Sequence, residues 1–473
     1  MRRIIPLACL IFAAAPAAAA PPVFKHIVIV FQENRTPDNL FGSNPNFEPG
    51  VDIATMGRTS TGAMVALGPT PLAGCYDIDH SHRSFELALN FGFDAEQLVA
   101  NQCTGPLPPN PHYRYVDNSH GEVQPYFDIA KNYGFANRMF QTNQGPSFPA
   151  HQFIFGGTSA PTAISDLFAA ENLSEGGQPG KPNPAGCIAN AGQTVSLINP
   201  AGLETQNIPR YPCYERRTLG DLLDAANPPI SWRYYAPLPG SIWTAPDAIA
   251  HTCQAKFVGG VRTCTGPQWI AHVVPDNPAQ VLTDIAACNL PGVSWVIPTA
   301  QESDHAVSNT GIGPQWVAAI VNAIGTQKCA GEDYWKDTAI LIIWDDWGGW
   351  FDHVKPLNVF VNAPHWGSGY TYGFRVPLLV VSAYTPPGRV SDGALDFGSI
   401  LYFVEQNFGL GFIGPGTGTY SRYADYQSSL PPWGRLDPFF GLAGPKVFVP
   451  IPTTMKSADF LNQPKSNLGP DND

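Results

Sequence analysis

Five apolar runs rich in β-branched residues are spread along the chain and predict the strands of a central sheet. They occupy residues 26–31, 230–235, 293–297, 339–344 and 376–382. Apolar residues at helical spacing lie between several of them, at 217–226, 314–325 and 397–408. Continuous apolar runs are typical of strands covered on both faces, and strands that alternate with helices favour a parallel sheet. The pattern therefore predicts one doubly wound α/β domain with a mostly parallel sheet.

The two ends and one internal stretch depart from this alternation. Residues 1–20 carry two arginines, an apolar core and a run of alanines, which is typical of a secretory signal peptide cleaved near residue 20. Residues 160–215 are rich in Gly, Pro and Asn and predict a loop-rich insertion within a single domain at 21–455. Residues 456–473 are polar and predict a flexible tail. We therefore expect a secreted or periplasmic protein without a stable membrane anchor.

Cysteine usage agrees with export. One of the nine cysteines lies in the predicted signal peptide, and the remaining eight contain no C-x-x-C pair. An even number of cysteines in an exported chain favours disulfides over zinc-thiolate or thioredoxin-like chemistry. Sequential pairing, such as Cys253 with Cys264, is the simplest arrangement, although the sequence leaves the pairing open.

The charge balance argues against nucleic acid as a partner. The formal net charge is −12, and the predicted signal peptide carries two arginines and no acidic residue. The mature chain is therefore still more acidic, and it has no Lys/Arg-rich cluster. Such a surface does not favour binding to a phosphate backbone.

The segment WDDWGGWFDH at 344–353 carries the strongest chemical signal. Asp345 and Asp346 follow directly on the apolar run at 339–344. Adjacent carboxylates at the end of a buried strand repel each other, and their burial is costly unless a cation neutralises them. A metal-centred hydrolytic site is one interpretation, and an acidic loop with solvated side chains is the other.

A second predicted strand ends in the same kind of group. HIVIVFQENRTPDNLFG at 26–42 delivers Glu33 and Asn34 after its apolar run. Ligands of open α/β sheets lie beyond the carboxyl ends of parallel strands, so both segments could meet around one cation. Turn formation is the alternative for Glu33 and Asn34. Together the two segments favour one divalent ion on hard oxygen ligands, such as Ca, Mg, Mn or Fe.

A candidate nucleophile follows a sharp turn. Gly145 and Pro146 directly precede Ser147, and no G-x-S-x-G elbow is present. Coordination to a metal is another way to generate a reactive alkoxide. The alternative is that Ser147 only caps the following helix.

Three histidines lie beside aspartates in polar, turn-like segments. They are His80, His305 and His353, next to Asp79, Asp304 and Asp352. Imidazolium groups can bind phosphoryl oxygens and protonate a leaving group, and a neighbouring carboxylate can orient the ring. Structural hydrogen bonding is the alternative for each of them, and His82 competes with His80 for the same role.

Separated segments of the chain, taken in order, resemble the bacterial phosphoesterases that include phospholipase C enzymes and acid phosphatase A. They are HIVIVFQENRTPDNLFG, DIDHSHRSFELALNFG, NQGPSFPAHQF, ESDHAVSNTG and WDDWGGWFDHV. The resemblance favours His80 over His82. It implies a three-layer α/β/α fold of the alkaline-phosphatase type and hydrolysis of phosphoric esters.

The resemblance also implies a site and a mechanism. The implied metal ligands are Glu33, Asn34, Asp345, Asp346 and Ser147, and the implied groups around the phosphoryl are His80, His305 and His353. Ser147 would attack phosphorus, and water would then hydrolyse the phosphoserine. The metal would stabilise the alkoxide and the transition-state charge.

Some residues depart from the pattern of the phospholipase C branch. That branch usually has Thr as the nucleophile and an Asp-Glu metal pair, so a serine with two aspartates is closer to the acid phosphatase branch. The family's Pro-Asn-Arg after the nucleophile is Pro149-Ala150-His151 here, which removes an expected arginine contact. The substrate is accordingly either a phosphate monoester or a phospholipid head group.

Other functions remain open at this stage. Trp347, Trp350 and Phe351 could form the apolar rim of a lipase-like site, although the core is the favoured interpretation. A periplasmic protein that binds phosphate esters without cleaving them would explain the oxygen-rich site but not the serine. A sulfatase is disfavoured because its Cys/Ser-x-Pro-x-Arg block is absent.

Overall fold

An eight-stranded sheet forms the centre of the computed structural model, which describes residues 22–173, 184–199, 202–357, 371–414, 423–429 and 434–464. Its strands are β1 (His26–Gln32), β2 (Gly134–Ala136), β3 (Trp232–Tyr235), β4 (Val273–Val274), β5 (Val293–Val296), β6 (Thr338–Trp344), β7 (Leu378–Ser382) and β8 (Arg389–Ser391). Their spatial order is β4-β3-β5-β1-β6-β7-β2-β8, and only β7 runs antiparallel to its neighbours. The prediction of a mostly parallel sheet is confirmed, and all five predicted strands are present.

Helices cover both faces of this sheet. They are α1 (Pro37–Phe41), α2 (His82–Phe91), α3 (Gln124–Asn132), α4 (Ser147–Gly156), α5 (Leu219–Ala225), α6 (Ala250–Cys253), α7 (Pro267–His272), α8 (Gln280–Ala286), α9 (Gly313–Thr326), α10 (Tyr334–Asp337), α11 (Phe397–Phe408), α12 (Ala424–Ser428) and α13 (Ser457–Leu461).

The two central strands show how the layers are built. Phe31 of β1 stacks on a histidine of α4, with 4.9 Å between ring centroids. The next residue, Gln32, is in register with Trp344 of β6, and Trp344 packs edge-on against Tyr126 of α3 at 5.1 Å. Because consecutive strand residues point to opposite faces, α4 and α3 lie on opposite sides of the sheet. The predicted α/β/α arrangement is therefore confirmed.

Small sheets and 3₁₀ turns lie outside this central sheet. The short strands pair as Met56–Arg58 with Met64–Ala66, Gly68–Thr70 with Arg114–Val116, Tyr76–Ile78 with Leu98–Asn101, Lys256–Val258 with Val261–Thr263, and Met139–Phe140 with Leu395–Asp396. The predicted insertion contains a three-stranded sheet of its own, made of Phe168–Ala169, Val195–Ile198 and Glu204–Arg210. It therefore carries more regular structure than its composition predicts.

Four disulfides join cysteines that follow one another in the sequence. They are Cys75–Cys103, Cys187–Cys213, Cys253–Cys264 and Cys288–Cys329. Sequential pairing is thus confirmed. Three of the bridges close loops outside the main sheet, and one of these, Cys187–Cys213, lies within the insertion. The fourth, Cys288–Cys329, encloses β5 and α9.

The chain ends differ from expectation in one respect. Residues 457–461, assigned by the sequence to a flexible tail, form α13 because Phe460 is buried against Trp316, with ring centroids 5.2 Å apart. The predicted signal peptide at 1–20 and the last residues, 465–473, lie outside the described residues. Among the residues that are described, no helix combines the length and the apolarity of a membrane span.

Candidate active site

The carboxyl ends of β1 and β6 place four polar side chains side by side. The two strands are parallel neighbours, and the ladder continues one step beyond them because Asp345 N donates to Gln32 O at 3.1 Å. Glu33 and Asn34 therefore leave β1 next to Asp345 and Asp346, which leave β6. All four side chains are fully buried. The acidic-loop interpretation, which needs solvated carboxylates, does not describe this arrangement.

A glycine turn behind the aspartates makes this approach possible. Gly348 has φ +60°, and a Cβ built on it would lie 2.5 Å from the carbonyl oxygen of Asn34. Asn34 itself has φ 60°, a left-handed conformation that Asn tolerates better than most residues. Gly348 N donates to Asp346 Oδ1 at 2.8 Å, which fixes the direction of that carboxylate.

Ser147 comes to the same place from α4. It is the first residue of the helix, and its Oγ lies 3.4 Å from both Glu33 Oε2 and Asp346 Oδ2. The preceding turn is tight, since any side chain at Gly145 would collide with the carbonyl of Ala170. The serine hydroxyl is thus fully buried among carboxylates at the amino end of a helix.

The insertion supports the amino end of α4 directly. Asn172 accepts a hydrogen bond through Oδ1 from Phe148 N at 2.9 Å. The first N–H groups of a helix have no partner within the helix, so this side chain satisfies one of them. The position of Ser147 therefore depends on residues that lie outside the central sheet.

His151 is a member of the site that the sequence analysis missed. Its Nε2 lies 3.2 Å from Glu33 Oε1 and 3.8 Å from Asp345 Oδ2, and its ring lies between those of Phe31 and Trp243. Burial lowers the pKa of His151 to about 4, against the opposing effect of Asp345, so the ring is neutral near pH 7. A neutral imidazole can bind a metal.

The spacing of His151 from the nucleophile is a signal that could have revealed it. Ser147 and His151 are four residues apart on one helix, which places both on the same face. In the resemblance, His151 appears only as the residue that replaces an arginine. Its position on the same helix face as Ser147 was therefore not considered.

The donor atoms of this cluster fit a divalent cation. Ligand atoms of Glu33, His151 and Asp345 lie within 4.8 Å of one another. Among the described residues, Asp345 Oδ2 and Asn34 Oδ1 have no hydrogen-bond partner, although both atoms are buried. Unpaired buried oxygens are costly, and a cation would satisfy them and neutralise the carboxylates.

His80 orients one of these oxygens. Its Nδ1 donates to the carbonyl of Ile78 at 2.8 Å, so Nε2 accepts from Asn34 Nδ2 at 3.0 Å. Because the amide nitrogen of Asn34 faces the histidine, its Oδ1 faces away, toward the carboxylates. His80 therefore contacts the carboxylate cluster through Asn34, whereas the resemblance implies a position around the phosphoryl group.

His305 lies beside His80, with 5.9 Å between ring centroids. Its Nδ1 lies 2.7 Å from the carbonyl oxygen of Ala306 and 3.7 Å from Asp77 Oδ2. The same Trp243 ring that flanks His151 lies 6.4 Å from the ring of His305. The structure thus brings two of the three predicted histidines to the serine and carboxylate cluster.

His353 lies in a different cluster. Its Nδ1 is 2.8 Å from Asp38 Oδ2 and its Nε2 is 3.0 Å from Asp52 Oδ1. Arg375, which is fully buried, binds Asp352 with two hydrogen bonds and also contacts Asp38. No contact within the described part of the chain joins His353 to Ser147, so its predicted phosphoryl role is not supported by proximity.

The His353 cluster gives a pH prediction. Burial lowers the pKa of His353, but the hydrogen bond to Asp38 and the charges of Asp38 and Asp352 outweigh it and raise the pKa above its usual value. A raised pKa stabilises the fold fully below the unfolded value of about 6.5, and this contribution is lost as the pH rises through the folded value. We expect His353→Gln to be less stable than wild type at pH 6, with a gap that narrows toward pH 9. Denaturant unfolding across that range measures it, and a gap that widens with pH contradicts it.

His82, the rival of His80, belongs to a third cluster beside the nucleophile turn. Its backbone N–H donates to Glu171 at 2.8 Å, its Nε2 lies 3.3 Å from Gln144 Oε1, and its Nδ1 lies 3.8 Å from Glu204 Oε2. Two of these partners come from the insertion. His82 therefore connects the insertion to α2 and to the turn before Ser147.

The aromatic residues after the metal segment are part of the core. Trp347, Trp350 and Phe351 are all buried. Trp347 and Phe351 pack with Phe93, Tyr113 and neighbouring residues in a second apolar cluster. This confirms the favoured interpretation, and these side chains do not provide an exposed apolar rim.

Comparison with known proteins identifies the family of this chain. The model of the Phosphoesterase family matches residues 24–411. Phospholipase C A of Mycobacterium tuberculosis is 26% identical over 438 residues, which cover 84% of this chain and 75% of that protein. Non-hemolytic phospholipase C of Pseudomonas aeruginosa is 23% identical over 490 residues, which cover 92% of this chain and 60% of that protein.

The chain also aligns with a solved structure of a protein in the alkaline phosphatase superfamily from Vibrio parahaemolyticus. It aligns with 84% of this chain and 72% of its own length, at 10% identity and a TM-score of 0.34. The family match spans both strand ends, Ser147 and the paired aspartates. The chain belongs to the Phosphoesterase family and is a hydrolase of phosphoric ester bonds.

Proposed function

We propose that the protein is a secreted, metal-dependent phosphoric ester hydrolase that acts through a phosphoserine on Ser147. The observation that carries the proposal is the position of the Ser147 hydroxyl, which lies 3.4 Å from the carboxylates of Glu33 and Asp346. Glu33 also belongs to the buried group of side chains that could hold a metal ion. A protein that only binds phosphate esters has no need of a serine at this position. Its substrate would be a phosphate monoester or a phospholipid head group.

The proposed metal ligands come from three elements. Glu33 and Asn34 follow β1, Asp345 and Asp346 follow β6, and Ser147 begins α4; His151 adds a nitrogen donor. The imidazole favours Mn or Fe over Ca or Mg within the predicted set of ions, since the latter prefer oxygen alone. Bound there, the ion would stabilise the serine alkoxide and the charge that develops on the phosphoryl oxygens.

The residues of the chain would then perform the following steps. Ser147 gives its proton to a neighbouring carboxylate, and its Oγ forms a bond to phosphorus while the bond to the leaving oxygen breaks. We assign proton delivery to the leaving oxygen to His305, whose ring is held by the carbonyl of Ala306. His80 keeps Asn34 in place. Water then hydrolyses the phosphoserine and frees the hydroxyl of Ser147.

Two further elements of the proposal concern the whole chain. Residues 1–20 would direct export and be removed near residue 20, which agrees with the presence of four disulfides. Residues 21–455 would form one phosphoesterase domain, with 160–215 as an insertion. His353 would have a positioning role, since it ties the end of the 344–353 segment to Asp38.

Removal of the metal tests the proposal. We expect dialysis against EDTA to lower hydrolysis of p-nitrophenyl phosphate or p-nitrophenylphosphorylcholine by about 100-fold or more, because several kcal/mol of charge stabilisation are lost. Mn²⁺ or Fe²⁺ should restore it. The preferred substrate distinguishes the phosphatase from the phospholipase C type of reaction. Full activity in protein shown to be metal-free by elemental analysis would refute metal dependence, and tight binding without turnover would favour a binding protein.

A further inference from the structure

Exposed apolar side chains are concentrated on one hairpin outside the active site. It consists of Lys256–Val258 and Val261–Thr263, joined by Gly259 and Gly260, both of which have positive φ. The exposed fractions are 75% for Phe257, 56% for Val258 and 67% for Val261. Large apolar residues at such exposure are costly in water, and three of them on one hairpin indicate a binding surface.

The charge of this hairpin differs from that of the rest of the protein. Lys256 and Arg262 flank the apolar tip, and residues 253–267 contain no acidic residue, in a chain of net charge −12. Lys256 is exposed, and the guanidinium of Arg262 lies over the ring of Tyr211 at 5.5 Å. The hairpin thus presents an apolar tip between two cations.

The hairpin is held rigidly. The disulfide between Cys253 and Cys264 closes its base, and Thr265 N and Gly266 N both donate to the carbonyl of Cys253. A rigid element loses little conformational entropy when it binds. Its exposed side chains are therefore available for an interaction at low entropic cost.

The hairpin shares a groove with the connection that leads from β3 to Trp243. With Ile188 and Pro239 it lines a groove of about 610 Å³. Pro239 belongs to the connection that follows the carboxyl end of β3 and continues to Trp243. The ring of Trp243 lies 6.4 Å from those of both His151 and His305. A surface bound by the hairpin would therefore lie near the edge of the sheet that carries Ser147.

We propose that this hairpin docks the enzyme on a phospholipid bilayer that contains anionic lipid. Apolar side chains at the tip would enter the acyl boundary, while the two cations contact the phosphate layer. Each cation near an anionic leaflet strengthens binding by about fivefold. The proposal rests on the phosphoester hydrolase function and adds a device that brings the enzyme to phospholipid substrates.

Sedimentation with vesicles of phosphatidylcholine, with or without phosphatidylglycerol, tests this inference on the full mature protein. We expect binding to the anionic vesicles and a loss of about tenfold or more for Phe257→Ser with Val261→Ser. Lys256→Gln with Arg262→Gln should lose about 25-fold on the anionic vesicles, because each cation contributes about fivefold. Val447→Ser, at a residue that is 86% exposed elsewhere, is the matched control and should bind like wild type. Melting temperature and hydrolysis of p-nitrophenyl phosphate should stay unchanged in all of them.

Two outcomes overturn the docking role. Either the wild type fails to bind both kinds of vesicle, or the Phe257 and Val261 double variant binds them as tightly as the wild type. Ser147→Ala separates this inference from the proposed function, since that variant should bind vesicles normally without cleaving phosphoesters. If the wild type binds vesicles but hydrolyses no phosphoester, the docking role stands and the proposed function fails.

Discussion

Ser147→Ala is expected to lower phosphoester hydrolysis by about 10⁴-fold or more while the protein stays folded. The variant removes the oxygen that would bond to phosphorus, and loss of a covalent nucleophile has effects of this size in other hydrolases. The fold should tolerate the change, because alanine is a good helix former and, within the described residues, the hydroxyl is hydrogen-bonded to Glu33 and Asp346 alone.

Two control variants and a trapping experiment sharpen this test. Ser294→Ala changes a buried serine in β5 and should keep wild-type activity. Ser147→Thr preserves a hydroxyl and should keep part of it. Acid quenching during turnover should yield a phosphorylated peptide that contains residue 147. A fully active Ser147→Ala enzyme, or phosphate found on another residue, would contradict the assignment.

Asp345→Asn is expected to have opposite effects on activity and on the stability of the metal-free protein. Activity should fall by about 100-fold or more, because a metal ligand is lost. Without metal, however, Asp345 is one of several carboxylates buried close together, and its removal relieves their repulsion. We expect the free energy of unfolding in EDTA to rise by about 1–3 kcal/mol. The hydrogen bond from Asn34 N survives, since asparagine offers the same acceptor.

Asp352→Asn is the matched control for this prediction. It neutralises another buried aspartate, but one that forms two hydrogen bonds with the buried Arg375. The loss of its charge weakens these hydrogen bonds and leaves Asp38 as the carboxylate that faces Arg375. The free energy of unfolding should fall by about 1.5–3 kcal/mol. Guanidinium unfolding in EDTA measures both variants. A metal-free Asp345→Asn protein that is less stable than wild type would argue against a site built for a cation.

The core of the fold follows closely from the pattern of apolar residues. β1, β5 and β6 are buried on both faces, so their sequences are mostly apolar and stand out along the chain. The short strands β2, β4 and β8 were not predicted, because two or three residues are too few to show a pattern of apolar positions. The antiparallel direction of β7 depends on the path of its connection to β6, which composition does not encode.

The site was predictable where local sequence determines position. Glu33 and Asp345 follow strands that pair in parallel, so strand pairing alone brings them together. In contrast, an aspartate next to a histidine in the sequence does not determine where the imidazole ring lies in the fold. His353 follows Asp352, yet its ring is held by Asp38 and Asp52, which are distant in the sequence.

The contact between the insertion and α4 has a consequence for engineering. Excision of 160–215 is a simple design for a minimal enzyme, because the segment contributes no described strand to the main sheet. It would, however, remove the acceptor on Asn172 that caps the helix of Ser147, together with the backbone of Ala170 that packs on Gly145. Shortened variants should therefore keep residues 168–172. Libraries that vary this segment offer a way to change the reactivity of Ser147 without changing a catalytic residue.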